Sequence, residues 1–171
     1  KDKRISHLIP TEQLPVVLPL DLGNYKPAGK SPLADHATFP YYVPQAAWDA
    51  VPYFEYHDEI RGVREWVESI TRRIAQAVIK DPATGKYLAL KWKVDNSVSF
   101  VAWGIEAGED VIAGIMREIT EETWYTDATY VKHLGNYQAY FYHPLKWHNQ
   151  HSFGEVLYFE LSQNAKQQPL E

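Results

Sequence analysis

Residues 103–125 read WGIEAGEDVIAGIMREITEETWY, and the fold turns on them: a glycine- and acid-rich turn runs into a helix that carries Glu118, Glu121 and Glu122. Spacings of three and four bring side chains onto one helical face. Like charges placed this way repel by about 0.2–0.5 kcal/mol per pair, and acids in the last turns oppose the helix dipole by roughly 0.3–1 kcal/mol more. A bound cation removes both penalties. Hard carboxylate oxygens select Mg²⁺, Mn²⁺ or Ca²⁺, and Mg²⁺ characteristically binds a few carboxylates together with substrate phosphate oxygens. The stretch therefore points to phosphate chemistry.

On the N-terminal side of this helix, Arg73 to Lys80 and Lys86 to Lys93 are β-rich runs, and Asp81-Pro82-Ala83-Thr84-Gly85 between them has the residues of a hairpin turn. Ser97 to Ala102 continues as a strand, the helix is expected at about 110–123, and strands are expected at 128–134, 136–143 and 153–162. The order is β-β-β-α-β-β-β. Further upstream, Val63, Trp66, Val67 and Ile70 have amphipathic spacing, which predicts a short helix near 58–70. Residues 1–44 hold seven of the eleven prolines and read as extended linker, because proline removes a donor and disfavours helix in the residue before it. The division is thus a Pro-rich segment, 1–44, and a domain, 45–171.

Composition sets the outer limits. A chain of 171 residues holds one ordinary domain plus an extension. No apolar run approaches the roughly 20 residues needed to span a bilayer, so no membrane role is expected. The absence of cysteine removes disulfide frameworks and thiolate zinc sites. A net charge of −5 argues against nucleic-acid binding by the whole surface and leaves room for a local basic face. Lys1 with no signal-peptide pattern behind it reads as an internal piece of a longer polypeptide, and Leu170-Glu171 reads as a cloning scar.

Residue by residue, the opening stretch resembles the Nudix box. Glu109 takes the first acid position, seven residues follow, and Arg117-Glu118-Ile119-Thr120-Glu121-Glu122-Thr123 with Tyr125 completes the pattern. Gly104-Ile105-Glu106-Ala107-Gly108-Glu109 resembles the loop by which that family approaches its helix. Trp103 and Trp124 stand where the pattern has glycine. A glycine just after a helix usually takes φ > 0, so Trp124 implies a different helix exit or induced strain. The resemblance implies an α/β (α+β) fold, a Nudix-type mixed β-sheet sandwich with the Glu-rich helix on one face; the usual C-terminal helix is expected to be missing, since only nine residues follow Ser162. It also implies Mg²⁺- or Mn²⁺-dependent hydrolysis of a nucleoside diphosphate derivative. Glu118, Glu121, Glu122 and the Trp103 carbonyl would hold metal. Glu122 would also be the candidate base, Glu109 would pair with Arg117 to hold the loop against the helix, and Gly104, Glu106 and Gly108 would shape the substrate loop. The residues alone leave a plainer alternative, a solvated acidic face with an Arg117–Glu121 pair.

A second resemblance lies in LPVVLPLDLGNYKPAGKSPLA, residues 14–34, which is similar to a stretch of bacterial leucyl-tRNA synthetase: Leu14, Pro15, Val16, Leu18 and Pro19 match, as do Gly29, Ser31, Pro32, Leu33 and Ala34. REWVESITRRIAQAVIKDPATGKYLALKWK is similar to a Nudix-like insertion in some of those enzymes. Together they imply an insertion module of a leucine-tRNA ligase parent, cytoplasmic, with tRNA as a partner through the parent, acting as a hydrolase or as a module that positions tRNA or domains without turnover. No adenylate-forming signature is present. His143, His148 and His151 in HPLKWHNQH suit a transition metal by type, but loop residues at such spacing read better as hydrogen-bonded surface groups. Trp147, Tyr140, Tyr142 and Phe153 can stack a base, though alternating strand aromatics more often build a core. Arg61, Arg64, Arg72, Arg73, Lys91 and Lys93 can contact phosphates, though a solvated face is the commoner role.

Overall fold

The structure, a computed structural model, describes residues 4–13, 25–26, 50–93, 96, 98–106 and 108–168. Alternating apolar residues dominate the sequence outside one amphipathic stretch, and the outcome is a mixed sheet with a single α-helix among the described residues. The strands are β1 (Arg4–Ile9), β2 (Tyr25–Lys26), β3 (Tyr53–Glu55), β4 (Ser69–Lys80), β5 (Tyr87–Trp92), β6 (Val98–Ser99), β7 (Val101–Gly104), β8 (Thr129–His143) and β9 (His148–Glu160), with α1 at Val111–Thr123. The sheet order is β1-β5-β4-β9-β8-β3-β2, with β6 beside β5 and β7 beside β4. The expected α+β class, with the Glu-rich helix on a sheet face, is what the structure has.

β4 is the central strand. It runs parallel to β9 over its whole length, from Ser69↔Asn149 to Lys80↔Glu160. Its other edge is shared: β7 takes the middle through Ile74↔Gly104 to Ala77↔Val101, and β5 takes the end at Ile79↔Leu88. Residues on the helix side, among them Ala75, Ala77, Ile79, Leu157 and Phe159, pack with Ile115 and Ile119 of α1 into one core. The opposite face collects Phe54, Val78, Phe100, Tyr137, Ala139 and Val156 into a second.

Several expected elements hold. The hairpin turn forms as read, with Asp81 accepting from the Ala83 amide at 3.0 Å and from Thr84 Oγ1 at 2.6 Å while Gly85 takes φ 70°. Others need correction. The strands expected at 128–134 and 136–143 are one strand, β8, because Gly135 is absorbed at a register irregularity rather than ending the ladder. The strand expected from 153 begins at His148. No helix is present among the described residues after β9, as expected; instead the Gln168 amide donates to the Trp124 carbonyl at 2.8 Å and Gln167 Nε2 donates to the Thr123 carbonyl at 3.0 Å, so this tail satisfies the last carbonyls of α1.

The short helix expected near 58–70 does not form. Turns and bends occupy 58–68, and β4 begins at Ser69. Two polar side chains take the backbone groups a helix would have paired. Asp58 Oδ1 accepts from the Ile60 and Arg61 amides at 2.9 and 2.7 Å. Asn149 accepts from the Arg64 amide at 3.0 Å and donates to the carbonyls of Arg64 and Val67 at 2.7 and 3.1 Å. Trp66, a residue of the predicted apolar stripe, is 83 % exposed, while Val63, Val67 and Ile70 are half-buried, so the four do not share one buried helical face. β1, drawn from the Pro-rich segment, pairs with β5 from Arg4↔Trp92 to Ile9↔Tyr87. Apart from Tyr25 and Lys26, the synthetase-like stretch 14–34 lies outside the described residues.

Candidate active site

α1 starts where its sequence says it should. Asp110 is the N-cap, its side chain accepting from the Ala113 amide at 2.8 Å, which satisfies one of the orphan donors of the first turn. The exit carries the strain that a tryptophan in a glycine position implies: Trp124 sits in the left-handed region at φ 64°, its amide donating to the Thr120 carbonyl at 2.9 Å.

Ahead of the helix, the loop folds back on itself. The Glu109 amide donates to the Glu106 carbonyl at 3.1 Å, and the Glu109 carboxylate accepts from the Glu106 amide at 3.0 Å and from Trp103 Nε1 at 3.1 Å. Gly108 takes φ 76° within this turn, a conformation that a residue without Cβ adopts freely. These donors hold the Glu109 carboxyl below its ordinary range: the Glu106 amide contributes most, then the Trp103 indole; burial opposes them, and Arg117 adds a lesser downward pull.

Arg117 is the hub. Its guanidinium lies 2.7 Å from Glu118 Oε1, 3.2 Å from both oxygens of Glu121 and 3.6 Å from Glu109 Oε1. It also lies over the Trp103 ring, 4.7 Å from its centroid. Sequence position 103 was read for its carbonyl; its indole turns out to join the loop acid to the helix cation. Glu118 is buried at 6 % exposure, Glu121 is exposed, and Glu122 is half-buried one turn beyond Glu118. The structure thus gathers Glu109, Glu118 and Glu121 about Arg117. Among the described residues no three His, Asp or Glu side chains converge tightly enough to cage a metal ion. The donor set nonetheless suits a hard cation, because three carboxylates, Glu109, Glu118 and Glu121, surround one guanidinium.

Two residues were not anticipated at the box loop. Gly114 sits inside α1, where glycine costs about 1 kcal/mol relative to alanine. A Cβ there would stand 2.7 Å from Glu109 Oε1, so the glycine admits the loop acid against the helix. The signal in the sequence was a glycine in mid-helix, five residues after the acid. Arg72 is the other: its Nη2 packs at Gly104, where a Cβ would approach to 2.3 Å, and meets Glu106 Oε1 at 3.4 Å. Nothing local in the sequence marks it, since strand pairing alone brings β4 to β7.

A protein-family model for the NUDIX domain matches residues 71–171, more than half of the chain. The chain belongs to the Nudix family. Among solved structures it is similar to the C. elegans Ap4A hydrolase, at 17 % identity over 57 % of this chain and 79 % of that one, with a TM-score of 0.35. A comparison with curated proteins returns no match. The family assignment agrees with the mixed sheet and its single box helix.

The histidines fall elsewhere than expected. His151 is fully buried on the helix side of β9, with Nε2 2.9 Å from Gln138 Oε1 and its ring against Tyr53 and Tyr140. It is no surface residue. Burial pushes its pKa down to about 3, against a weaker upward pull from Glu55. Tyr142 and Phe153 are core residues, whereas Trp147 is 76 % exposed. No helix among the described residues is long and apolar enough to cross a membrane.

Proposed function

We propose that this Nudix domain hydrolyses a pyrophosphate linkage in a nucleoside diphosphate derivative with Mg²⁺ or Mn²⁺. The observation that carries the reading is the Glu109–Arg117–Glu118/Glu121 network, in which one guanidinium fixes the box loop to the helix and leaves an excess of carboxylate at one place. Glu118, Glu121, Glu122 and the Trp103 carbonyl would hold the cation. When bound, such a metal supplies Lewis acidity toward phosphate oxygens and lowers the pKa of water. The chain's own groups do the rest. Arg117 keeps Glu118 and Glu121 oriented, the loop Gly104–Gly108 approaches the phosphates with its backbone, and Glu122 accepts the proton of the attacking water as the P–O bond to the leaving phosphate breaks. Removing a general base typically costs about 10²–10⁴ in rate. Glu122→Gln is therefore expected to lower kcat by that order and Glu121→Gln to abolish product release, measured on a panel of nucleoside diphosphate derivatives in millimolar Mg²⁺ or Mn²⁺. Full turnover by Glu121→Gln would sink the assignment.

A module that binds without turnover is the second reading, favoured by Trp103, whose indole fills a glycine position and locks both Glu109 and Arg117. Mn²⁺ broadening confined to Glu118, Glu121 and Glu122 with no hydrolysis in the panel would select it. On residues 14–34 we further propose that the domain belongs to a cytoplasmic leucyl-tRNA synthetase-like parent and meets tRNA through it. Adenylate-forming signatures in the coding sequence flanking residues 1–171 would support that origin, and their absence would remove it.

A further inference from the structure

The turn between β8 and β9 gathers cations away from the box helix. His143 and His148 are directly opposed across the hairpin, with ring centroids 5.9 Å apart. Lys146 lies in the turn between them, where the amides of Lys146 and Trp147 both donate to the His143 carbonyl. Arg61 is bound alongside, its carbonyl accepting from the Tyr142 amide at 2.8 Å and its guanidinium standing 5.7 Å from the Tyr56 ring centroid. Three polar atoms here have no hydrogen-bond partner although solvent barely reaches them: His143 Nδ1, His148 Nε2 and Gln150 Oε1. Gln150 is two residues beyond His148 and so shares its sheet face. It is itself 6 % exposed, its amide nitrogen donating to Ser152 Oγ at 2.7 Å. An amide can present either terminus, so this position can also offer a donor.

Buried polar atoms without partners are costly, and like charges held together are costly too. One kind of ligand relieves both. A divalent transition metal would satisfy the two imidazoles but would meet Arg61 and Lys146 as like charges. An anion meets them as opposite charges and accepts from every available N–H. We propose that the β8–β9 turn, with Arg61, His143, Lys146 and His148, is a second binding site, for a terminal phosphoryl or pyrophosphoryl group. The electrostatics agree. The His143 pKa lies below its ordinary value, through burial first, then Lys146, His148 and Arg61, against a small pull from its own carbonyl, and no carboxylate acts on it. Lys146 is lowered by partial burial and by Arg72, the same arginine that meets Glu106 in the box loop. The compact half-buried pair suits a multiply charged terminal group better than the single charge of a phosphodiester.

The test uses the whole chain with EDTA present and inorganic pyrophosphate as the probe, reading histidine ring signals by NMR across pH. Pyrophosphate is expected to move the His143 and His148 signals, raise the His143 midpoint by about one pH unit, and leave His7 and His133 unmoved. Lys146→Ala, at an exposed position, is expected to weaken pyrophosphate about tenfold, as is Arg61→Ala. Absence of any shift, or affinity untouched by both variants, overturns the site. So does a shift produced equally by an oligonucleotide lacking terminal phosphates, or by Zn²⁺ but not pyrophosphate. The Glu121→Gln variant, inert at the box, should keep the full response, so failure here and failure of the hydrolase reading are separable.

Discussion

Removing the imidazole of His151 should change the acid stability of the fold more than its stability at neutral pH. The ring is fully buried and neutral, its pKa pushed down to about 3 by desolvation, whereas in the unfolded chain it returns to about 6.5. Below pH 6.5 the unfolded state therefore binds a proton that the folded state refuses, so stability falls as pH falls through 6.5 and levels off near the folded value. Over the whole window the loss is about 3.5 units, or about 5 kcal/mol; at pH 5.5 it is about 1.4 kcal/mol relative to neutral pH. His151→Gln keeps a side-chain donor for Gln138 Oε1 but removes the titration. Urea denaturation of both proteins from pH 7.5 to 5 should give curves whose difference changes toward acid, the wild type falling more steeply by up to about 1.4 kcal/mol per pH unit. His143 and Glu109 titrate in both proteins and cancel in the difference. Parallel curves, or a His151 ring signal that titrates near pH 6.5, would refute the reasoning.

Three further outcomes follow from close contacts. Gly154→Ala places a Cβ 2.3 Å from the ring of Tyr137, a buried residue held by its hydroxyl to Gln76, and should lower unfolding free energy by about 1–3 kcal/mol in chemical denaturation. Gly104→Ala meets only the flexible end of Arg72, so stability should stay within about 0.5 kcal/mol while the Arg72–Glu106 contact is lost, read from the Arg72 side-chain Nε signal. Trp103→Phe keeps the ring over Arg117 but deletes the donor to Glu109; stability should drop by about 1 kcal/mol and the Glu109 pKa should move back up toward its ordinary value, followed by carboxyl carbon NMR.

The box helix was legible because its signals are local: acids at spacings of three and four and in a fixed register with Arg117. The hairpin at 81–85 was legible for the same reason, since Asp81 and Gly85 set the turn themselves. The helix expected at 58–70 failed where local spacing competed with a distant side chain, as Asn149, 85 residues away from Arg64, took the backbone groups. Arg72, read from the sequence only as one of several basic residues able to contact phosphates, was not placed at the box loop for a related cause: only the β4–β7 pairing brings it to Gly104 and Glu106.

Trp103 shows the limit most sharply. From the sequence only its backbone carbonyl had a role. In the fold the ring donates to Glu109 and carries Arg117 on its face, so the same guanidinium that neutralises Glu118 and Glu121 is anchored to the loop through an aromatic plane as well as through an acid. A cation arriving at Glu118 and Glu121 must compete with Arg117, and the tryptophan raises the cost of moving it. Metal affinity in this domain should accordingly be set by how readily Arg117 yields, and Trp103→Gly should tighten Mn²⁺ binding even as it weakens the fold. Isothermal titration of Mn²⁺ into both proteins decides the matter; equal or weaker binding by the glycine variant would show that the indole does not restrain the arginine.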